Sequence, residues 1–288
     1  MFKLISSSPK KLLNIFDSIS NILVDVNLFI NKDGIFIKQM DASHICYTFL
    51  ELNCSEFDEY YYNYLNNDTI KIGIKLKNLV SILTVSRNCN TIELSISNLD
   101  KLNVISVGRE DTKEFELNLM DIPQQFLDIP SCDYNCEFKV SSELFNSLID
   151  TCEIMEGDFI RFEIKDKNLK IESTGSVGNY KQFFKSEKKN MFTIKNSKLS
   201  DNIDKIPNCT DLSKDSESLD NYILNTSENN FNINLSLNMI SLFKKMSKLT
   251  DYLDININPE SPVRFDFMIN YETGSIIHMF LAPKIEED

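Results

Sequence analysis

Eight basic residues are grouped on or beside stretches of helical periodicity: Lys10 and Lys11, then Lys75, Lys77 and Arg87, then Lys244, Lys245 and Lys248. Cations on one side of a helix can touch phosphates without reading bases, which suits weak, sequence-independent contact with a polyanion. On spacing alone, a solvated helix face explains them at least as well. Groups for covalent chemistry are sparse. The chain has only 7 glycines and no glycine-rich phosphate cradle. Of its 2 histidines, His44 lies beside Met40 and Ile45 and is expected as a packed, hydrogen-bonded ring, with no base or nucleophile paired to it in sequence. The 7 cysteines are odd in number and scattered, as reduced thiols would be, so no disulfide framework is expected. Only Cys132 and Cys136 are close, and a zinc site would need distant residues to converge. No enzymatic activity, cofactor or metal is expected.

Charge sharpens the question about the lysines. With 30 Lys and Arg against 43 Asp and Glu, the formal charge of −13 would repel a polyanion if spread evenly. Binding DNA then requires the basic residues to be gathered on one face. No apolar run approaches the roughly 18 residues of a membrane helix, and Met1 to Ile5 turns polar at Ser6, too soon for a secretory signal core.

The elements that must hold these residues come in two similar sets. Phe2 to Ser7 and Phe138 to Ser142 are short alternating strands ending in serine, each followed by an amphipathic helix entered through a serine cap. The first helix carries Leu12, Leu13, Phe16, Ile19 and Leu23 at spacings of three and four; the second carries Leu144, Phe145, Leu148, Ile149 and Cys152. Hairpins follow both, around Asp33-Gly34 and around Asp166-Lys167-Asn168. Further on, Ile70 to Leu79 matches Phe231 to Ile240 without a gap, each a strand running into a helix. The last of these helices carries Ile240, Phe243 and Met246, which turns Lys244, Lys245 and Lys248 away from the core. The fold expected is α+β: two similar domains, residues 1–121 and 132–288, each an antiparallel sheet with two helices on one face.

Residues 122–131 join them. Two prolines and no helical period describe an extended linker, and Phe126, Leu127 and Ile129 either pin it to the body or border a groove that captures partners. Residues 185–219 are polar and poor in aromatics, so they are expected as a surface insertion that buries too little area to offset its ordering entropy.

Four motifs fall in order on this repeat: Met40-Asp41-Ala42-Ser43-His44, Leu119-Met120-Asp121, Ser173-Thr174-Gly175-Ser176-Val177-Gly178-Asn179, and Leu281-Ala282-Pro283-Lys284-Ile285-Glu286-Glu287. On these the chain resembles the proliferating cell nuclear antigen family of eukaryotic and viral sliding clamps, over nearly its whole length except the insertion. The resemblance implies a ring of three subunits, head to tail, with helices lining the hole and double-stranded DNA passing through it. It also implies partnership with a DNA polymerase, a clamp loader and other peptide-bearing proteins, and a nuclear location, or a cytoplasmic replication site if the chain is viral. The strand near Arg109 to Leu117 would pair with the one near Val177 to Phe184 of the next subunit.

By the same resemblance, the eight basic residues face DNA, and Lys245 matches a basic lumen position. Met40, His44, Ile45 and Tyr47 would form one wall of a peptide groove, Leu127 and Ile129 another, with Pro262, Phe280, Leu281, Ala282 and Pro283 completing it. Lys165 matches a position of regulatory conjugation to ubiquitin. One departure stands out: the helix from Ser141 to Glu153 carries Ser147 and Asp150 where the family presents arginines. A less positive lumen follows, with a paralogue that recruits proteins without itself encircling DNA as the competing reading.

Overall fold

The computed structural model describes residues 1–64, 69–97, 100–123, 133–185, 222–226 and 230–284. The apolar linker residues Phe126, Leu127 and Ile129, the insertion beyond Lys185, and the tail from Ile285 lie outside them.

The first half runs β1 (Phe2–Ser6), α1 (Pro9–Ile19), β2 (Asp25–Ile30), β3 (Gly34–Met40), β4 (Cys46–Asn53), β5 (Glu59–Tyr62), β6 (Ile70–Lys75), α2 (Leu76–Ser86), β7 (Thr91–Ile96), β8 (Lys101–Val107) and β9 (Thr112–Asn118). The second repeats that order as β10 (Cys136–Ser141), α3 (Ser142–Ile154), β11 (Phe159–Lys165), β12 (Asn168–Thr174), β13 (Asn179–Lys185), β14 (Tyr222–Thr226), β15 (Phe231–Ser236), α4 (Leu237–Phe243), β16 (Tyr252–Ile257), β17 (Val263–Asn270) and β18 (Ser275–Leu281). This is the expected α+β architecture of antiparallel strands with two helices in each half.

Local chemistry explains the joints. Ser141 Oγ accepts from the Leu144 amide at 3.2 Å and Ser236 Oγ from the Met239 amide at 3.4 Å, so α3 and α4 are serine-capped. The same cap is absent at α1: Ser8 makes no side-chain cap bond, and Pro9 starts the helix by presetting φ where an N–H would be orphaned anyway. The first hairpin needs Gly34, since a Cβ there would lie 2.1 Å from the Leu52 carbonyl oxygen. The second turns on Asp166 and Lys167, both at positive φ (50° and 63°), the backbone that matches strand twist in a two-residue loop. The fourth helix is shorter than its periodicity suggests. It stops at Phe243, and residues Met246–Leu249 tighten into a 3₁₀ turn that keeps Met246 fully buried while Lys248 stays exposed.

Strand pairing gives the architecture its logic. A five-stranded sheet has the order β5-β1-β7-β8-β9, a four-stranded sheet the order β13-β12-β11-β15, and a nine-stranded sheet between them the order β14-β10-β16-β17-β18-β4-β3-β2-β6. In the repeat, β14-β10-β16-β17-β18 corresponds to β5-β1-β7-β8-β9, and β4-β3-β2-β6 corresponds to β13-β12-β11-β15. The central sheet is therefore a five-strand unit of the second half joined to a four-strand unit of the first, through a β18–β4 seam running from Ile276↔Glu51 to Leu281↔Cys46. Helices follow suit: α1 packs on α2 and on the 246–249 turn, and α3 packs on α4 and on that same turn, giving a contiguous row. Their buried faces include Leu12, Phe16, Ile19, Phe145, Leu148, Ile240 and Phe243.

Candidate functional site

The first turn of α1, the end of α2 and the 246–249 turn converge on a cavity of about 550 Å³. Lys10, Lys11, Arg87 and Lys248, drawn from both halves of the chain, all line it. Four of the eight predicted cations thus come together. Lys11 is partly spent there, pairing with Glu56. Only 7% of the Glu56 side chain is exposed, and its Oε2 also accepts from Thr273 Oγ1 at 2.6 Å and Asn270 Nδ2 at 3.1 Å. Burial alone would push this carboxyl upward, but Lys11, Thr273 and Asn270 together hold it below the usual carboxylate range. Among the described residues Lys10, Arg87 and Lys248 form no ion pair, and all three are exposed.

The remaining cations divide. Lys75 and Lys77 sit exposed at the other end of α2. Lys244 is bridged to Asp150 at 2.9 Å and Glu153 at 2.7 Å, both on α3. Lys245 reaches Asp17 on α1 at 3.2 Å. These two lysines face away from the core as the spacing predicts, yet they tie helices together rather than standing free. Hydrogen bonds from Lys244 outweigh burial and hold the Glu153 carboxyl down. The carboxylates responsible were not found from sequence, because Asp150 and Asp17 lie 94 and 228 residues from their lysines and carry no local pairing signal.

A second surface forms where β3, β4 and β18 meet. Tyr47 and Phe280 are cross-strand partners with ring centroids 6.1 Å apart, and Met40 pairs with Tyr47 on the next strand. The chain after β18 is fastened by a bond from the Ala282 amide to the Ile45 carbonyl at 2.8 Å; Pro283 is half-buried next to it, and so is Pro262, which precedes Val263, the cross-strand partner of Leu281. Leu281 is fully buried and belongs to the core, so it supports this surface from below instead of lining it. The Met40-to-His44 motif is a loop built on Asp41. Its Oδ1 accepts from the Ile45 and Cys46 amides at 2.9 and 2.7 Å, and its Oδ2 from the Ser43 amide and hydroxyl. Burial opposes its charge, but these bonds win and hold the carboxyl below its ordinary range. His44 is left exposed at φ 57°, so the expectation of a packed ring is wrong: the loop turns its side chain out. His278 is the packed histidine, 2.6 Å from Asp266 and stacked on Phe49.

The connecting segment starts on the edge of the central sheet. The Met120 amide donates to the Gly73 carbonyl at 2.8 Å, and the Ile122 carbonyl accepts from Asn27 Nδ2 and Lys71 Nζ, both at 3.2 Å. Strands β9 and β13 each lie at an edge of their sheets.

Residues 2–126 match the model of the proliferating cell nuclear antigen N-terminal domain. Similarity continues beyond it. Proliferating cell nuclear antigen of Chaetomium thermophilum is 25% identical over 96% of this chain and 95% of its own length. Proliferating cell nuclear antigen 2 of Plasmodium falciparum is 23% identical over 94% of each. A DNA polymerase sliding clamp of Methanothermobacter thermautotrophicus is 28% identical over 62% of this chain and 70% of its own. The chain is similar to the proliferating cell nuclear antigen family over nearly its whole length.

The second half repeats the matched amino-terminal architecture strand for strand. Lys165, the predicted modification site, is exposed at the end of β11, beside the Asp166-Lys167 turn. Leu127 and Ile129, the predicted linker wall of the groove, lie outside the described residues.

Proposed function

We propose that this chain, a non-enzymatic sliding clamp, assembles head to tail into a homotrimeric ring that encircles duplex DNA and recruits proteins through the Tyr47–Phe280 groove. In this reading residues 1–121 and 132–288 are its two domains and 122–131 the linker.

One observation carries the assembly. The β18–β4 seam joins a five-strand unit to a four-strand unit, and β9 and β13 are the counterparts of β18 and β4 at the open ends. Joining β9 of one copy to β13 of the next repeats between chains the joint already made within one. It also covers two edges that would otherwise invite nonspecific strand addition. Exposed apolar side chains favour it: Val177 and Phe183 on or beside β13 are 60% and 66% exposed, and Ile154 at the end of α3 is 63% exposed.

The row of helices then faces the hole. Lys10, Lys75, Lys77, Arg87 and Lys248 supply phosphate contacts, and Lys11, Lys244 and Lys245 contribute less because carboxylates already hold them. A tether that slides needs contacts that are weak and indifferent to sequence, while enclosure supplies persistence. Surplus acid elsewhere discourages DNA from binding outside.

The groove would take apolar and aromatic anchors of a polymerase, a loader or another client. Each large side chain buried is worth about 1.5–3 kcal/mol, enough for micromolar binding from two or three anchors after association costs. The function belongs in a nucleus, or at a cytoplasmic replication site in a viral setting. The test is loading onto circular DNA followed by linearisation, alongside solution mass. A trimer that stays on the circle and leaves the linear form supports the ring. A monomer at micromolar concentration, or retention on linear DNA, refutes it and favours a recruiting scaffold.

A further inference from the structure

The seam inside the chain is a template for the register of the joint between copies. In both halves the chain leaving the last strand closes on the same place: the Met120 amide donates to the Gly73 carbonyl at 2.8 Å, and the Lys284 amide to the Asn234 carbonyl at 2.7 Å. Gly73 and Asn234 hold matching places in the repeat of residues 70–79 and 231–240, so Met120 answers to Lys284 and Leu117 to Leu281, both leucines being buried. On the other side, β3 and β12 are seven-residue strands centred on the buried Ile37 and Ile171. Met40 pairs with Tyr47 and Thr174 with Asn179, so Tyr47 answers to Asn179 and Phe49 to Lys181. The buried Leu52 and Phe184 fall in step with this match.

The seam sets His278 opposite Phe49 and Phe280 opposite Tyr47, aromatic ring on aromatic ring. Carried over to two copies, the same register sets Glu114 of β9 opposite Lys181 of β13, and Glu116 diagonal to that lysine. Period two puts Thr112, Glu114, Glu116 and Asn118 on one face of β9, and Asn179, Lys181, Phe183 and Lys185 on the matching face of β13, all of them exposed. One column is acidic and the other basic. Glu116 is held by Lys101, and Lys181 reaches Glu172 only at 3.8 Å, while Glu114 forms no ion pair among the described residues. On the helix side the register brings together Phe115 and Tyr180, two half-buried rings on open edges. Copies with a formal charge of −13 each repel one another, so a local match of opposite sign decides orientation and choice of partner.

We propose that the joint is keyed by charge: Glu114 of one copy pairs with Lys181 of the next, with Phe115 against Tyr180 on the helix side, and this match selects a second copy of this chain over similar chains whose edge strands carry other charges. The proposal rests on the ring reading above and fixes its register. A slip of one residue turns the two columns to opposite faces, and a slip of two sets Glu114 opposite Asn179 or Phe183.

Solution mass is measured against concentration for the wild type, Glu114→Lys, Lys181→Glu and the chain carrying both reversals, with thermal melts as the folding control. Each single reversal sets like charges at every joint and should weaken assembly about 2- to 30-fold per joint, as expected when one cross-strand attraction becomes a repulsion. The double reversal should restore assembly, and about 1 M salt should erase the differences. Where rings persist at the lowest concentration, exchange of labelled subunits reads the same differences. Glu114→Gln is the milder variant: its assembly should depend less steeply on salt than that of the wild type. Single reversals that leave assembly unchanged, a folded double reversal that fails to rescue it, or an unaltered salt dependence in Glu114→Gln overturns the key, while a wild-type trimer leaves the ring standing. A wild type that stays monomeric at micromolar concentration fails the ring reading, and the key with it.

Discussion

Gly73 is the place where the connecting segment is most sensitive to a single atom. A Cβ added there would lie 2.3 Å from the Met120 carbonyl oxygen and 2.9 Å from Ile122 Cδ1, so Gly73→Ala forces the start of the segment off the β6 edge. Lost with it are the Met120 amide bond to Gly73 and the bonds of Asn27 and Lys71 to the Ile122 carbonyl. At about 0.5–1.5 kcal/mol each, with the exposed Lys71 bond counted at the low end, the loss is about 2–3 kcal/mol. Restricting the unfolded chain returns about 0.4–1 kcal/mol, leaving a net cost near 2 kcal/mol. That corresponds to a melting temperature lower by about 4–8 °C for a chain of this size. Under the proposed reading, in which the same segment borders the groove, peptide affinity should fall by about tenfold or more while solution mass stays unchanged. Thermal denaturation, fluorescence anisotropy of an anchor peptide and light scattering read the three quantities. An unchanged melting temperature would refute the reasoning, because it would mean the segment contributes nothing where it touches the sheet.

Glu56→Gln should destabilise the chain on the order of 2 kcal/mol at pH 7 by stripping the charged partner from Lys11. Because the folded carboxyl is held below its unfolded value of about 4.3, the stabilisation is present above that pH and is lost as pH falls through the lower folded value; melts of both proteins should converge in acid. Asp150→Asn with Glu153→Gln and Asp17→Asn frees Lys244 and Lys245. Each freed lysine that reaches a phosphate should steepen the dependence of log K for DNA on log salt by about 0.9, read by titration at several salt concentrations. Phe183→Lys should leave the melt of the single chain nearly unchanged, since the residue is 66% exposed, but weaken each joint by about 1.5–3 kcal/mol and shift the mass toward monomer. Leu127→Ala with Ile129→Ala should abolish peptide binding and spare assembly, as measured by anisotropy and scattering.

The repeat was legible because strands write period two and helices period 3.6 into the chain, and Phe2 to Ser7 does so in the same order as Phe138 to Ser142. The sharing of one sheet by both halves was not. Leu281 and Cys46 are opposite each other across the seam although 235 positions separate them, and nothing in either strand names its partner. Period two does, however, distinguish Phe280, which packs toward Tyr47, from Leu281, which points into the core; lining both on one groove overlooked the alternation. The candidate cations were found because lysine and arginine declare their charge. Whether a cation is free depends on long-range partners, so Lys248 and Lys244 look alike in sequence and differ in the fold.

The seam between β18 and β4 has a further consequence. Inside one chain its two sides are held close by the polypeptide itself, at an effective concentration that dilution leaves untouched. In the proposed ring the equivalent joint between copies forms by mass action and weakens as the protein is thinned out. Two mechanically alike hinges therefore answer to different variables. Lowering the concentration of the proposed ring should therefore release single chains, each still carrying its internal weld.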